Sequence, residues 1–265
     1  MLQALLHSKL TSEEQVAISA NKEDSCTSSV FGLLQYLPDD VLLDILKQSC
    51  GNLISFPDDI GVIQQVLFWE KFYSRHISEI DQNHVEPDVI IETENYSIVI
   101  EAKKYDGLSQ QYEKQWKREI LVVEDWHRQE RSEKGIIFIA IGGTNYSRDK
   151  EALIGDKSYI IHIASWIGLS DAITKVLDKM SKTENQTGNQ NLIRLLGDAV
   201  KALEHFGHFR TIWLNTLPSI KINPIDNKSL YYRWKTYDSK KLEGFYKNHN
   251  KIIMNEINQL WKPNL

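Results

Sequence analysis

The sequence predicts an α/β fold: a mixed β-sheet sandwiched by helices, followed by an α-rich C-terminal extension. Three observations carry this expectation. Two short runs rich in β-branched residues, Glu86–Glu92 and Ser97–Lys103, flank the polar turn Glu94-Asn95-Tyr96 and read as the arms of a β-hairpin. Tyr112, Trp116, Ile120 and Val123 recur at helical spacing and mark the buried stripe of a long helix from about Ser109 to Arg131. Gly135–Ile141 and Tyr159–Ile163 are nearly unbroken apolar runs, as expected of strands covered on both faces. The order hairpin, helix, strand, strand gives a mixed sheet with helices packed on it.

The remaining elements follow in chain order. Glu23–Ser29 leads into Val30–Leu34, and Pro38-Asp39-Asp40 breaks the helix and restarts it through Leu46. Val30, Leu34 and Leu37 form an amphipathic stripe that runs back through Thr27 to Glu23, a carboxylate on the core-facing side of its helix. Val62–Tyr73 is apolar and aromatic, the end of a helix or a strand leading toward the hairpin. Gly142-Gly143-Thr144-Asn145 lacks the Lys-Ser/Thr of a phosphate-binding loop and reads as a turn. His162 reads as a hydrogen-bonded core histidine, and Ser170–Met180 as a helix.

Ser181–Gln190 contains no apolar residue and reads as a linker or long loop. It separates an expected main domain, residues 1–180, from a C-terminal region, residues 191–265. That region opens with an amphipathic helix through Leu192, Leu195, Leu196, Ala199, Val200 and Leu203, ending near Gly207. Beyond it, Trp213, Tyr231–Lys235 and Phe245–Lys247 interleave aromatic and basic residues, a pattern that suits base stacking with phosphate contacts or a small packed subdomain.

Composition narrows the classes. At 265 residues the chain can bury a sizeable core, and 42% hydrophobic with 25% charged residues is ordinary for a soluble globular protein. No apolar run approaches a membrane span, and the first residues lack the pattern of a signal peptide. Cys26 and Cys50 make no metal-binding pattern; the expectation is reduced thiols in a cytoplasmic protein. A net charge of −5 argues against indiscriminate coating of nucleic acid. The charge is uneven, net −6 over residues 1–62 and +5 over residues 221–265, so the tail is the part suited to meet phosphate.

The chemistry lies in the hairpin. Side chains alternate along a strand, so Glu101 and Lys103 share a face with Ser97 and Val99, while Ile98, Ile100 and Ala102 pack the other side. Asp88, just after Pro87 in the neighbouring arm, can reach the same spot. Two carboxylates and an ammonium at a sheet end suit a hard cation facing a phosphate. Two other acid-x-Lys triplets, Asp226-Asn-Lys228 and Asp238-Ser-Lys240, neither end an apolar strand nor follow a strand bearing a carboxylate.

Pro87-Asp88 and Glu101-Ala102-Lys103, in this order and context, resemble the PD-(D/E)XK phosphodiesterase superfamily, over about residues 23–165. The resemblance implies the restriction-endonuclease-like form of the mixed sheet. It implies a Mg²⁺ or Mn²⁺ cofactor held by Asp88, Glu101, the carbonyl of Ala102 and, from the preceding helix, Glu23. For Glu23 a plain role as a helix-start acid favoured by the dipole stands equally open. Lys103 would orient or deprotonate the attacking water, or act as a fixed positive charge. Gln111, with Gln115 second, matches the glutamine that the superfamily places near the metal water or the scissile phosphate. The implied activity is a metal-dependent nuclease acting on nucleic acid, DNA before RNA. The alternative is a catalytically inactive member of the fold that binds nucleic acid or protein. A homodimer and a recruiting protein are both left open.

Overall fold

A six-stranded mixed sheet frames the protein, in the order β1-β4-β5-β6-β8-β7. The structure is a computed structural model. It describes residues 23–50, 56–73, 84–107, 109–144, 146, 148–154, 156–182 and 186–209. All of these belong to the first of the two units into which the chain divides, Met1–Thr211. In chain order the elements are α1 (Glu23–Leu34), α2 (Asp39–Ser49), β1 (Ile63–Phe68), β2 (Phe72–Tyr73), β3 (His84–Val85), β4 (Val89–Thr93), β5 (Tyr96–Ala102), α3 (Glu113–Glu130), β6 (Gly135–Ile141), β7 (Lys150–Ile154), β8 (Lys157–Ala164), α4 (Trp166–Ser181) and α5 (Gln186–His205). β5, β6 and β8 run parallel, β1, β4 and β7 join antiparallel, and β2 and β3 form a separate ladder.

Strand alternation sorts the core into two layers. Ile98, Ile100 and Ala102 of β5 face the same way as Val89 and Ile91 of β4 and Ile137, Ile139 and Ile141 of β6, and pack with α1, α2, α4 and α5. Ile90, Val99, Phe138, Ala140, Ile161 and Ile163 point to the opposite face, against Trp116, Ile120 and Val123 of α3. Helices therefore cover both faces, which is why β6 is an unbroken apolar run. The expected hairpin is β4 and β5, and the restarted helix is α2, entered through Pro38. His162 is buried as expected, its Nδ1 3.0 Å from Asp149 Oδ2.

Several boundaries differ from the sequence reading. Of the two alternatives open for Val62–Tyr73, the strand is the one found, as β1 and β2, whereas the edge strand β7 has no counterpart in the sequence analysis. β7 has only one residue buried, at its far end, and its apolar run, Ala152-Leu153-Ile154, is too short to reveal it. α3 begins at Glu113 instead of Ser109, because the backbone N–H groups of Gln110 and Gln111 donate to Gly143 O at 2.8 and 2.9 Å. α4 starts at Trp166 rather than Ser170. Ser165 Oγ accepts from Gly168 N at 2.9 Å, and Asp106 accepts from the N–H groups of Trp166 and Ile167 at 2.9 and 3.0 Å, satisfying its first turn.

The polar stretch Ser181–Gln190 does not end the core. Leu196, Ala199 and Leu203 of α5 are fully buried in the same cluster as α1 and α4, so this core continues past residue 180. A polar run marks a loop, but it does not say which surface the next amphipathic helix will cover. α5 ends at His205, close to Gly207 as expected, and the φ of 90° at Gly207 lets His208 N–H reach back to Leu203 O at 2.9 Å. The aromatic-basic region from residue 210 onward lies outside the described residues. Among those described, no helix is long and apolar enough to cross a membrane.

Leu203→Ala should destabilise the protein by about 2–5 kcal/mol, the usual loss for truncating a fully buried leucine. Chemical denaturation followed by both tryptophan fluorescence and far-ultraviolet dichroism should show one shifted transition. A separate transition that alone absorbs the loss would mean that α5 folds independently of the sheet.

Candidate metal centre

The register of the hairpin brings the first two carboxylates together. Val89 pairs with Ile100 and Ile90 with Val99. One step further, Asp88 stands across from Glu101, and opposed residues on antiparallel strands share a face. Both side chains are buried. Burying a carboxylate costs several kcal/mol unless other groups take over from water, so the donors around these oxygens matter.

Asp88 is held from two sides. Its Oδ1 accepts from Trp69 Nε1 at 3.0 Å and its Oδ2 from the backbone N–H of Ala102 at 2.8 Å. Trp69 has φ 48°, an uncommon conformation for so large a residue, and its own N–H donates to Asp88 O at 3.2 Å. These two hydrogen bonds hold the indole against the carboxylate and offset the strain. Trp69 is a core residue and also a donor to the site, a role that nothing in the local sequence pattern signals.

Glu101 Oε1 accepts from Gln115 Nε2 at 2.7 Å and pairs with Lys103 Nζ. The same ammonium donates to Glu23 Oε1 at 3.3 Å, while Glu23 Oε2 accepts from the backbone N–H of Lys104 at 3.0 Å. Glu23, Asp88 and Glu101 each offer an oxygen within 4.8 Å of the others. Three separate parts of the chain, α1, the residue just before β4, and β5, thus converge at one sheet end. Ala102 enters through its N–H, its methyl group packing in the opposite layer.

The two glutamines are not on one helical face. Gln111 precedes α3, with Tyr112 as the cap, and its Nε2 donates to the carbonyls of Glu101 and Ile141 at 3.1 and 3.5 Å. Its Oε1 accepts from Trp116 Nε1 at 2.7 Å. Gln111 therefore binds the backbone ends of β5 and β6, and Gln115 is the amide that touches the carboxylate. The turn at Gly142-Gly143 allows this approach. A Cβ on Gly142 would lie 2.4 Å from Lys103 O, one on Gly143 would lie 2.4 Å from Lys103 Cβ, and both residues have positive φ, 65° and 62°.

One acid escaped the sequence reading. Glu119 of α3 is 1% exposed and hydrogen-bonds Glu101 and Gln115, its Oε2 having no hydrogen-bond partner among the described residues. Burial, chiefly, pushes its carboxyl up to about 8. Burial also raises Glu101, aided by the charge of Glu119, and raises Asp88, aided by that of Glu101. Burial alone would lower Lys103, but contact with Glu101 and the charges of Glu23 and Asp88 outweigh it, so the amine is held charged. The signal for Glu119 was present: it lies three residues after Trp116 and four before Val123, inside the buried stripe.

Four carboxyl groups thus surround one ammonium. An all-oxygen, carboxylate-rich donor set is what Mg²⁺ or Mn²⁺ takes, and this donor set fits such an ion.

No protein-family model matches this chain, and no solved structure matches it. An uncharacterized protein of Pasteurella multocida (strain Pm70) is 31% identical over 170 residues. The match covers 62% of this chain and 60% of that protein.

Glu119 makes stability depend on pH. Its folded pKa lies above the ordinary 4.5, so the stability tied to its neutral form is full below that value and is lost as pH rises through about 8. Asp88 and Glu101 act in the same sense. In chelator-containing buffer the melting temperature should fall between about pH 5 and 9, and Glu119→Gln should flatten that fall. Parallel curves for wild type and variant would show that Glu119 does not titrate in this window.

Proposed function

We propose that this chain is a metal-dependent nuclease that hydrolyses phosphodiester bonds in DNA, built on the restriction-endonuclease-like fold of the PD-(D/E)XK superfamily. One observation carries the reading: Glu23, Asp88 and Glu101, from three separate parts of the chain, meet within 4.8 Å around Lys103. Here the acids outnumber the amine, at a buried sheet end where unpaired charge costs several kcal/mol. The site also lies at the carboxyl ends of β5 and β6, the place where open α/β sheets bind ligands.

Asp88, Glu101, Glu23 and the carbonyl of Ala102 would hold Mg²⁺ or Mn²⁺. Such an ion, when bound, supplies Lewis acidity that lowers the pKa of water and neutralises charge on phosphate. The chain's own groups do the positioning. Trp69 and the Ala102 N–H aim Asp88, while Gln115 and Glu119 aim Glu101. Gln111 braces the backbone on which Glu101 sits. Lys103, kept as an ammonium by its acidic neighbours, offers a fixed positive charge to a phosphoryl oxygen as negative charge grows there.

A gel assay on supercoiled plasmid, linear duplex, single-stranded DNA and RNA should show cleavage with Mg²⁺ or Mn²⁺ and none with chelator. Lys103→Met keeps the stem and removes the amine; it should fold, still bind metal, and cut about 10²-fold or more slowly. Cleavage by this variant at the wild-type rate would put the active site elsewhere.

Calorimetric titration should show Mn²⁺ binding that disappears in Asp88→Ala and in Glu101→Ala. Intact Mn²⁺ binding without cleavage of any of the four substrates would instead favour the inactive binding module.

A further inference from the structure

Three tyrosines beside the candidate site are left outside the core. Tyr105, Tyr112 and Tyr146 are 44%, 64% and 45% exposed. They sit on two connections, residues 103–112 after β5 and 142–149 after β6, which hydrogen bonds tie together. Gly143 N–H donates to Tyr105 O at 2.6 Å, and Gly143 O accepts from Gln110 and Gln111 at 2.8 and 2.9 Å. Tyr105 lies two residues after Lys103, and Tyr112 follows Gln111, whose amide holds the Glu101 carbonyl. The Tyr146 hydroxyl accepts from Lys150 Nζ at 2.8 Å, and that ammonium also pairs with Glu113, the neighbour of Tyr112. The three rings therefore border one sheet end.

Two of the rings come with an amine. Lys104 Nζ stands 4.5 Å from the centre of Tyr105, and Lys150 Nζ 4.0 Å from that of Tyr146. One exposed tyrosine needs no explanation. Three on two linked loops that leave the strand ends carrying the site make a surface of repeated chemistry, an exposed π face, and two of the faces stand beside a lysine, of which Lys150 is already paired with Glu113. An unpaired nucleotide presents the complement, a base face to stack and a phosphate to pair. A duplex does not, because its base faces are already stacked and only the edges show in the grooves.

Resting on the nuclease reading above, we infer that this tyrosine rim takes unpaired nucleotides on either side of the scissile phosphate, so that the form of nucleic acid recognised is a single strand. The rim reads base faces and phosphates, which DNA and RNA share.

The test is fluorescence anisotropy of the full chain, with Ca²⁺ in place of Mg²⁺, on labelled oligothymidylate, oligouridylate, a blunt duplex of equal length and an abasic strand that keeps the phosphates. The base-bearing strands should bind about tenfold or more tightly than the duplex or the abasic strand. The better of the two names the preferred sugar. Tyr105→Ala, Tyr112→Ala and Tyr146→Ala should each weaken strand binding about five- to a hundredfold, the usual worth of a stacked base. The corresponding Phe variants should keep it, with unchanged melting temperatures throughout.

Equal affinity for duplex and strand, equal affinity for the abasic strand, or Ala variants that bind like wild type would each overturn the inference. Binding to none of the probes would do so too, leaving the rim to a protein partner. The two readings fail separately. Metal-dependent cleavage with no strand preference keeps the nuclease and removes the rim. Strand-selective binding with no cleavage of any substrate keeps the rim and removes the nuclease.

Discussion

The burial of Asp88 and Glu101 side by side is the constraint that the surrounding structure answers. Two carboxylates pressed together in a dry sheet end repel each other and have lost their water, a cost of several kcal/mol per ion if nothing intervenes. Each contact around them reduces that cost. The Ala102 N–H and the Trp69 indole serve Asp88, and Gln115 and Lys103 serve Glu101. Glu119, which shares a hydrogen bond with Glu101, works the other way by adding a further acid. A fold selected for stability alone would replace these groups with aliphatic ones.

The cost extends into the backbone. Trp69 adopts a left-handed conformation that a bulky residue rarely takes, and Gly142 and Gly143 do so in succession. Strain of this sort gathers where a site over-determines the chain, and here all three residues touch the groups that hold Asp88, Lys103 or Gln111. The carboxylates ride on strands covered on both faces by helices, which keeps them still. The exposed tyrosines ride on loops, where surface recognition is adaptable.

How much of this was legible in the sequence depends on the range of the signal. The hairpin, its turn and the face shared by Ser97, Val99 and Glu101 follow from an alternation that any extended backbone imposes. The helical stripe of Val30 and Leu34 placed Glu23 on the core side of its helix in the same way. Where a nearby signal existed but competed with a stronger one, the reading slipped. Gln111 continued the helical pattern of α3, yet hydrogen bonds to Gly143, a residue far along the chain, pulled it out of the helix. Glu119 sat inside an apolar stripe, but a charged residue there has meaning only once another buried carboxyl is known to face it. β7 has only the short apolar run Ala152-Leu153-Ile154, because an edge strand buries little.

By itself, then, the sequence determined the α/β class, the hairpin, the amphipathic helices and the faces on which Glu23 and Glu101 would stand, since these are set by local backbone geometry and side-chain periodicity. Only the tertiary structure decided that α5 joins the same core, that Trp69 donates to Asp88, that Gln115 and Glu119 meet Glu101, and that Lys103 bridges Glu101 to Glu23. Those outcomes depend on which distant elements approach one another. The energy of a buried charge is set by partners supplied across space, and residue spacing along one element carries no record of them.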